Sequence, residues 1–203
     1  MSASSNTSLM VVISGPSGVG KDTVLEQMKL LNRPWHYIVT VTTRPKREGE
    51  RNGTEYFFMS SEEYAEIYKQ GGFLESAEVY GRWYGVPKSQ ADEAMKRGSD
   101  VIVKTDVQGA MTLRSKIDDA LLIFIAPPSI QELERRLRER KSESEEDLQL
   151  RIETANSEML LRDEFDYVVV NYDNNVEDVV TQIDRIIKAE KDERKLERFS
   201  GNK

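Results

Sequence analysis

The run Gly15-Pro-Ser-Gly-Val-Gly20-Lys21-Asp22-Thr23 carries the clearest chemical signal in this 203-residue chain. It follows the unbroken apolar stretch Leu9-Met-Val-Val-Ile-Ser14 and leads into a segment of helical character. In such a loop, glycines let successive backbone N–H groups converge on phosphate oxygens. The helix N-terminus adds its dipole, and the lysine reaches the β- and γ-phosphates. Gly15, Pro16, Ser17, Gly18, Val19, Gly20, Lys21, Asp22 and Thr23 are therefore the expected cradle for a phosphate donor. The pattern calls for Ser or Thr after the lysine, where a hydroxyl ligates Mg²⁺, and this chain has Asp22 instead. A bare carboxylate beside phosphate is repulsive unless Mg²⁺ or another cation lies between them. The alternative is an acid that complements the first helical turn.

A phosphate donor needs an acceptor, and Thr40-Val-Thr-Thr-Arg44-Pro-Lys-Arg47-Glu-Gly-Glu50 suggests one. Arg44 and Arg47 are three residues apart beside turn-forming Pro45 and Gly49, so their guanidinium forks can grip one anion. Tyr56, and Tyr84 within Trp83-Tyr-Gly85, supply neutral hydroxyl donors to the same anion. Glu75 sits in the mostly apolar Phe73-Leu-Glu-Ser76, where a carboxylate requires a reason. It can accept two parallel N–H bonds, which the N1–H and 2-amino edge of guanine offers. Taken singly, each of these is a surface charge or a core aromatic; jointly they describe a site for a purine monophosphate.

The elements that must position these groups follow from hydrophobic period. Leu9–Ser14, Val101–Val103, Leu121–Ala126 and Tyr167–Val170 read as strands of a parallel sheet buried on both faces. Helices are predicted at about 20–31, 107–116, 129–141, 144–162 and 176–197. In the last, Val176, Val179, Val180, Ile183, Ile186 and Ile187 fall on one face. Alternating strands and helices imply an α/β fold with ligands at the carboxyl ends of the strands. The stretch 41–98 breaks that rhythm and reads as a small α/β insertion, with a helix starting at the capping box Ser60–Glu63 and another stopping at Gly98. The charged stretch Arg135 to Arg151 is either a mobile lid or a solvated helix pair.

Composition bounds the rest. With 29 Lys+Arg against 36 Asp+Glu and a net charge of −7, a nucleic-acid partner is not expected. No Cys and a single His exclude disulfides, thiolate zinc sites, cysteine nucleophiles and multi-His metal centres. No apolar run approaches the roughly 20 residues that span a bilayer, and Met1–Ser8 lacks the features of a secretion signal. The expectation is a soluble, cytoplasmic chain with no membrane partner. Its oligomeric state is not encoded legibly.

The chain resembles the guanylate kinase family of nucleoside-monophosphate kinases. The resemblance rests on Gly15-Pro-Ser-Gly-Val-Gly-Lys21, Thr42-Thr-Arg-Pro45 with Arg47-Glu-Gly-Glu50, Asp106-Val-Gln-Gly109, Phe124-Ile-Ala-Pro-Pro-Ser129, and Arg136-Leu137 followed by Arg140 and Arg151. It implies a P-loop three-layer core with a parallel sheet (1–40, 99–129 and 155–203), a GMP-binding insertion (41–98) and a helical lid (130–154). It further implies ATP and GMP as substrates, dGMP as a second acceptor, and Mg²⁺ with ATP; Asp22, by its own chemistry, is the expected metal contact, directly or through water. Arg44, Arg47, Tyr56 and Tyr84 would bind the GMP phosphate, and Thr40, Glu75 and Asp106 would read guanine. Lys21, Arg44, Arg136, Arg140 and Arg151 would serve the transferring phosphoryl group.

The chain departs from the family pattern at several positions. Val86 stands where a Ser or Thr usually contacts guanine, Thr40 replaces a common Ser, and Lys141 follows Arg140 where Gly is frequent. Lys104 takes a strand-end position that is usually acidic, so Lys104 and Asp22 look like a reversed charge pair expected to touch or to share a metal's water shell. The competing readings are a protein-binding module of the scaffold type, a P-loop kinase with another acceptor, and a small GTPase. The intact loop argues against the first, the Arg–Tyr–Glu set against the second, and the lack of an Asn-Lys-x-Asp motif against the third.

Overall fold

The computed structural model describes residues 8–79, 81–139, 145–173 and 175–200. Its elements are β1 (Met10–Ser14), α1 (Lys21–Leu30), β2 (Trp35–Tyr37), β3 (Val41–Thr42), β4 (Phe57–Phe58), α2 (Ser61–Lys69), β5 (Phe73–Val79) and β6 (Arg82–Pro87). There follow α3 (Lys88–Lys96), β7 (Asp100–Lys104), α4 (Val107–Lys116), β8 (Leu121–Ala126), α5 (Ile130–Glu139), α6 (Glu145–Met159), β9 (Tyr167–Val170) and α7 (Val176–Ser200). A five-stranded sheet runs in the order β2-β7-β1-β8-β9, and β2–β7, β1–β8 and β8–β9 pair in parallel. A second, four-stranded sheet has the order β4-β3-β6-β5. This is the α/β fold with a parallel sheet that the apolar runs predicted.

Two compact units emerge from the packing. One comprises Pro34–Lys104 and Gln108–Ala120 with the segment ending at Met10; the other comprises Val11–Arg33, Thr105–Val107 and the chain from Leu121 onward. The second unit carries the glycine-rich loop. All five residues of β1 and all six of β8 are buried, which is why their sequences are continuously apolar rather than alternating. Val24, Leu25 and Met28 of α1 are buried, as are Val179, Val180, Ile183 and Ile187 of α7, and the two helices pack together. Arg33 clamps the end of this arrangement with a two-pronged pair to Asp184, at 2.9 and 2.7 Å.

The first unit contains the four-stranded sheet. β3 and β6 pair antiparallel, placing Thr42 opposite Tyr84, while β5 and β6 place Ala77 opposite Tyr84 and Glu75 opposite Val86. Because side chains alternate along a strand, Thr42, Tyr84, Val86, Ala77 and Glu75 share one face. The opposite face, with Ser76 and Gly85, takes α2. There the Tyr64 ring stacks on Phe73 at 4.6 Å, and its hydroxyl lies 2.8 Å from Ser76 Oγ and donates to Tyr84 O at 2.7 Å. A Cβ on Gly85 would come within 2.8 Å of both Phe73 and Tyr64, so only glycine allows that helix so close. The Ser60–Glu63 capping box of α2 is formed in both directions. Among the described residues, no helix is long and apolar enough to cross a membrane.

Candidate active site

The glycine-rich loop is built by two constraints that only glycine meets. At Gly15 the backbone has φ +141°, and a Cβ would lie 2.2 Å from the main-chain oxygen of Ile125 on the neighbouring strand. Gly20, at φ +98°, directly precedes α1 and gives that helix no side-chain cap. The first turn of α1 therefore turns the positive end of the helix toward the loop, a setting that favours an anion. Lys21 Nζ folds back over the loop, donating to Gly15 O and to Pro16 O, the latter at 3.1 Å. Asp22 and Thr23 are exposed in the same first turn, and Val19 is fully buried.

Side chains far away in sequence hold this loop. Arg151 donates to Ser17 Oγ at 2.9 Å, and the Ser17 amide donates to Glu158 Oε2 at 3.3 Å. The two residues lie seven apart on α6, two turns on one helix face. Burial pushes the Glu158 carboxyl up, opposed by the ammonium of Lys21 and the Ser17 amide and reinforced by Asp106. Val19 O accepts from Asn171 Nδ2 at 2.8 Å and from Arg136 at 3.4 Å. Arg136 also donates to Asn171 O at 2.9 Å and pairs with Glu132 at 2.9 Å and Asp173 at 2.7 Å. Arg135, with Arg136 beside it, holds Glu132 well below the usual carboxylate range. Lys21, Arg136 and Arg151 therefore all bear on the loop. Arg140 lies outside the described residues.

The arginine–tyrosine set assembles in the other unit. The Arg44 guanidinium sits 5.4 Å from the Tyr56 ring centroid and 5.6 Å from that of Phe58. Tyr84 meets Tyr56 edge-on at 6.0 Å. Glu50 fixes the fork of Arg44 through bonds of 2.7 and 3.1 Å and accepts the Arg47 amide at 2.7 Å. Arg44, chiefly, and the Arg47 amide hold the Glu50 carboxyl below its usual range. The Arg47 side chain is exposed. Tyr56 is positioned by its own carbonyl, which accepts from Gly53 N–H at 2.8 Å. Lys104, at the end of β7, donates to the Tyr56 hydroxyl at 3.3 Å, with its ammonium 4.8 Å from the ring centroid.

Glu75 is 2% exposed on the same sheet face as Tyr84, directly opposite the fully buried Val86. Thr40 is buried two residues before Thr42, and its carbonyl accepts from Phe57 N–H at 2.9 Å. Asp106 is half-buried immediately before α4. Sequence reasoning did not assign roles to Glu50, Glu158 or Asn171. The spacing Arg44 to Glu50 across a Pro–Gly turn was a usable signal for the first. Nothing local marks Glu158 or Asn171, whose partners are 141 and 152 residues away.

Comparison with known proteins agrees with this geometry. The sequence profile described as guanylate kinase matches residues 7–190. The chain is similar to the guanylate kinase of Clostridium tetani, 44% identical over 183 residues that cover 90% of this chain and 86% of that one. It is also similar to a guanylate kinase of Streptococcus agalactiae, 43% identical over 189 residues, covering 92% and 88%. Among solved structures, the guanylate kinase of Anaplasma phagocytophilum matches with a TM-score of 0.76 and 31% identity, covering 91% of this chain and 86% of its own.

Proposed function

The chain belongs to the guanylate kinase family, and we infer that it transfers the γ-phosphoryl group of ATP to GMP, giving ADP and GDP. The observation that carries this reading is the single sheet face on which Tyr84 and the buried Glu75 lie together, with Arg44 packed on Tyr56 beside Tyr84. It offers donors for a monophosphate and an acceptor for guanine in one unit. dGMP serves as a second acceptor, since the residues assigned here bear on the phosphate and the base. The setting this reaction implies is purine nucleotide metabolism in the cytoplasm. The functional partition is a core of 1–40, 99–129 and 155–203, an acceptor insertion of 41–98 and a lid of 130–154.

Phosphoryl transfer leaves little covalent chemistry to the protein, so positioning and charge supply the rate. Gly15 through Thr23 cradle the ATP phosphates, with Lys21 moving from the loop carbonyls to the β- and γ-phosphate oxygens. Arg44, Arg47, Tyr56 and Tyr84 align the GMP phosphate as nucleophile. Its second pKa is about 6, by analogy with phosphoserine, so at neutral pH no general base is required. Lys21, Arg44, Arg136, Arg140 and Arg151 spread positive charge over the equatorial oxygens of the transition state. Thr40, Glu75 and Asp106 hold the guanine.

The hard oxygen donors at the start of α1, the exposed Asp22 and Thr23, suit Mg²⁺. Among the described residues no cluster of three or more His, Cys, Asp or Glu forms a protein cage, so the metal would rest on one or two protein oxygens and on the substrate phosphates. Asp22 would hold it, directly or through water. When bound, Mg²⁺ neutralises polyphosphate charge.

The test is steady-state kinetics of the wild type and Glu75→Gln with GMP and with AMP. The wild type prefers GMP. The variant loses about tenfold or more of that kcat/KM ratio, because the guanine edge meets an amide in place of a carboxylate. An unchanged ratio, in a variant with a normal thermal transition, places base recognition elsewhere.

A further inference from the structure

We propose that Lys104 is a positioning residue of the acceptor-phosphate site, acting through the hydroxyl of Tyr56; this rests on the reading of Arg44, Tyr56 and Tyr84 as GMP-phosphate ligands. The Lys104 ammonium is 3.3 Å from Tyr56 Oη and 4.8 Å from the ring centroid, half-buried at the end of β7. An ammonium has three donors and no acceptor, whereas a phenol has one proton and oxygen lone pairs. In the 3.3 Å contact the lysine is therefore the donor and the phenol oxygen the acceptor. That fixes the direction of the remaining bond: the Tyr56 proton is the one left to donate to an incoming anion.

The arrangement also adds a cation. The Tyr56 ring is approached by Arg44 at 5.4 Å and by Lys104 at 4.8 Å. Arg44 already has the carboxylate of Glu50 in its fork, so what Lys104 adds to the site is its bond to the Tyr56 hydroxyl.

The experiment compares Lys104→Met, Lys104→Arg, Tyr56→Phe, the double variant Lys104→Met/Tyr56→Phe and Arg44→Ala, each checked for an unchanged thermal transition. Lys104→Met raises KM for GMP about tenfold, the size of one charge-assisted hydrogen bond, while kcat and KM for ATP stay within about twofold. Lys104→Arg restores most of the loss. The double variant is no worse than Tyr56→Phe, because the lysine acts through that hydroxyl. The proposal is overturned if Lys104→Met leaves KM for GMP unchanged while Tyr56→Phe and Arg44→Ala raise it, or if the Lys104 and Tyr56 effects simply add. If none of the variants moves KM for GMP, the acceptor-site reading itself fails.

Discussion

Glu50→Gln probes how the acceptor loop is held. Glu50 bonds both terminal nitrogens of Arg44, at 2.7 and 3.1 Å, and the Arg47 amide at 2.7 Å. The two side chains are only 13% and 17% exposed, so salt screens the pair weakly. A glutamine keeps the shape but has a single acceptor oxygen, so one bond from Arg44 is lost and the other no longer ends on a carboxylate, a loss of about 1 kcal/mol per bond to Arg44. Over the two Arg44 bonds the expected destabilisation is about 1–2 kcal/mol, or a Tm lower by about 2–8 °C for a chain of this size. The carboxyl is held below its ordinary 4.5, chiefly by Arg44, so the paired form stabilises the fold above that value. As pH falls through the lowered folded value the stabilisation disappears, and the Tm gap between wild type and variant closes. The same 1–2 kcal/mol then has to come from GMP binding, which raises KM for GMP about five- to thirtyfold. Thermal unfolding from pH 3 to 8 and GMP titration of the coupled assay read both effects. Equal Tm and equal KM at pH 7 would refute the claim that Glu50 preorganises Arg44.

Gly15→Ala places a Cβ 2.2 Å from a main-chain oxygen at a φ of +141°, where neither group can yield. It lowers stability by about 2–4 kcal/mol, and an unchanged Tm would show that the loop does not depend on that approach. Glu158→Gln keeps an acceptor for the Ser17 amide but removes a carboxylate that burial pushes above its ordinary 4.5. The fold favours the neutral acid, so wild-type stability at this position is full below 4.5 and is lost as pH rises through the raised value. The variant therefore gains on the wild type over that window, and Tm curves that stay parallel from pH 4 to 8 would sink the idea.

Much of the fold was legible because local pattern and global role agree. β8 at Leu121–Ala126, β9 at Tyr167–Val170 and α4 at Val107–Lys116 fall where the apolar runs and period put them. The Ser60–Glu63 box marks the start of α2, and Gly98, at φ +83°, follows the end of α3. β2 was not legible: three half-buried residues with His36 between aromatics carry neither alternation nor an apolar run. In the site, residue type and spacing drew attention to Lys21 and to Arg44, Tyr56 and Tyr84, the last three of which meet around the Tyr56 ring. Contacts such as Lys104 with Tyr56, 48 residues apart, or Asn171 with Val19, 152 apart, come from chain crossings that leave no periodic trace. Val86 illustrates the limit in the other direction. Its departure was visible in sequence, yet only the strand register shows it facing Glu75.

The most direct test of the central claim is a coupled assay of ADP formation with ATP–Mg²⁺ and each of GMP, dGMP, AMP, CMP and UMP. Strong turnover is expected with GMP, weaker or equal turnover with dGMP, and little with the others. A folded sample that binds ATP yet turns over none of them, or favours a pyrimidine monophosphate, would contradict it.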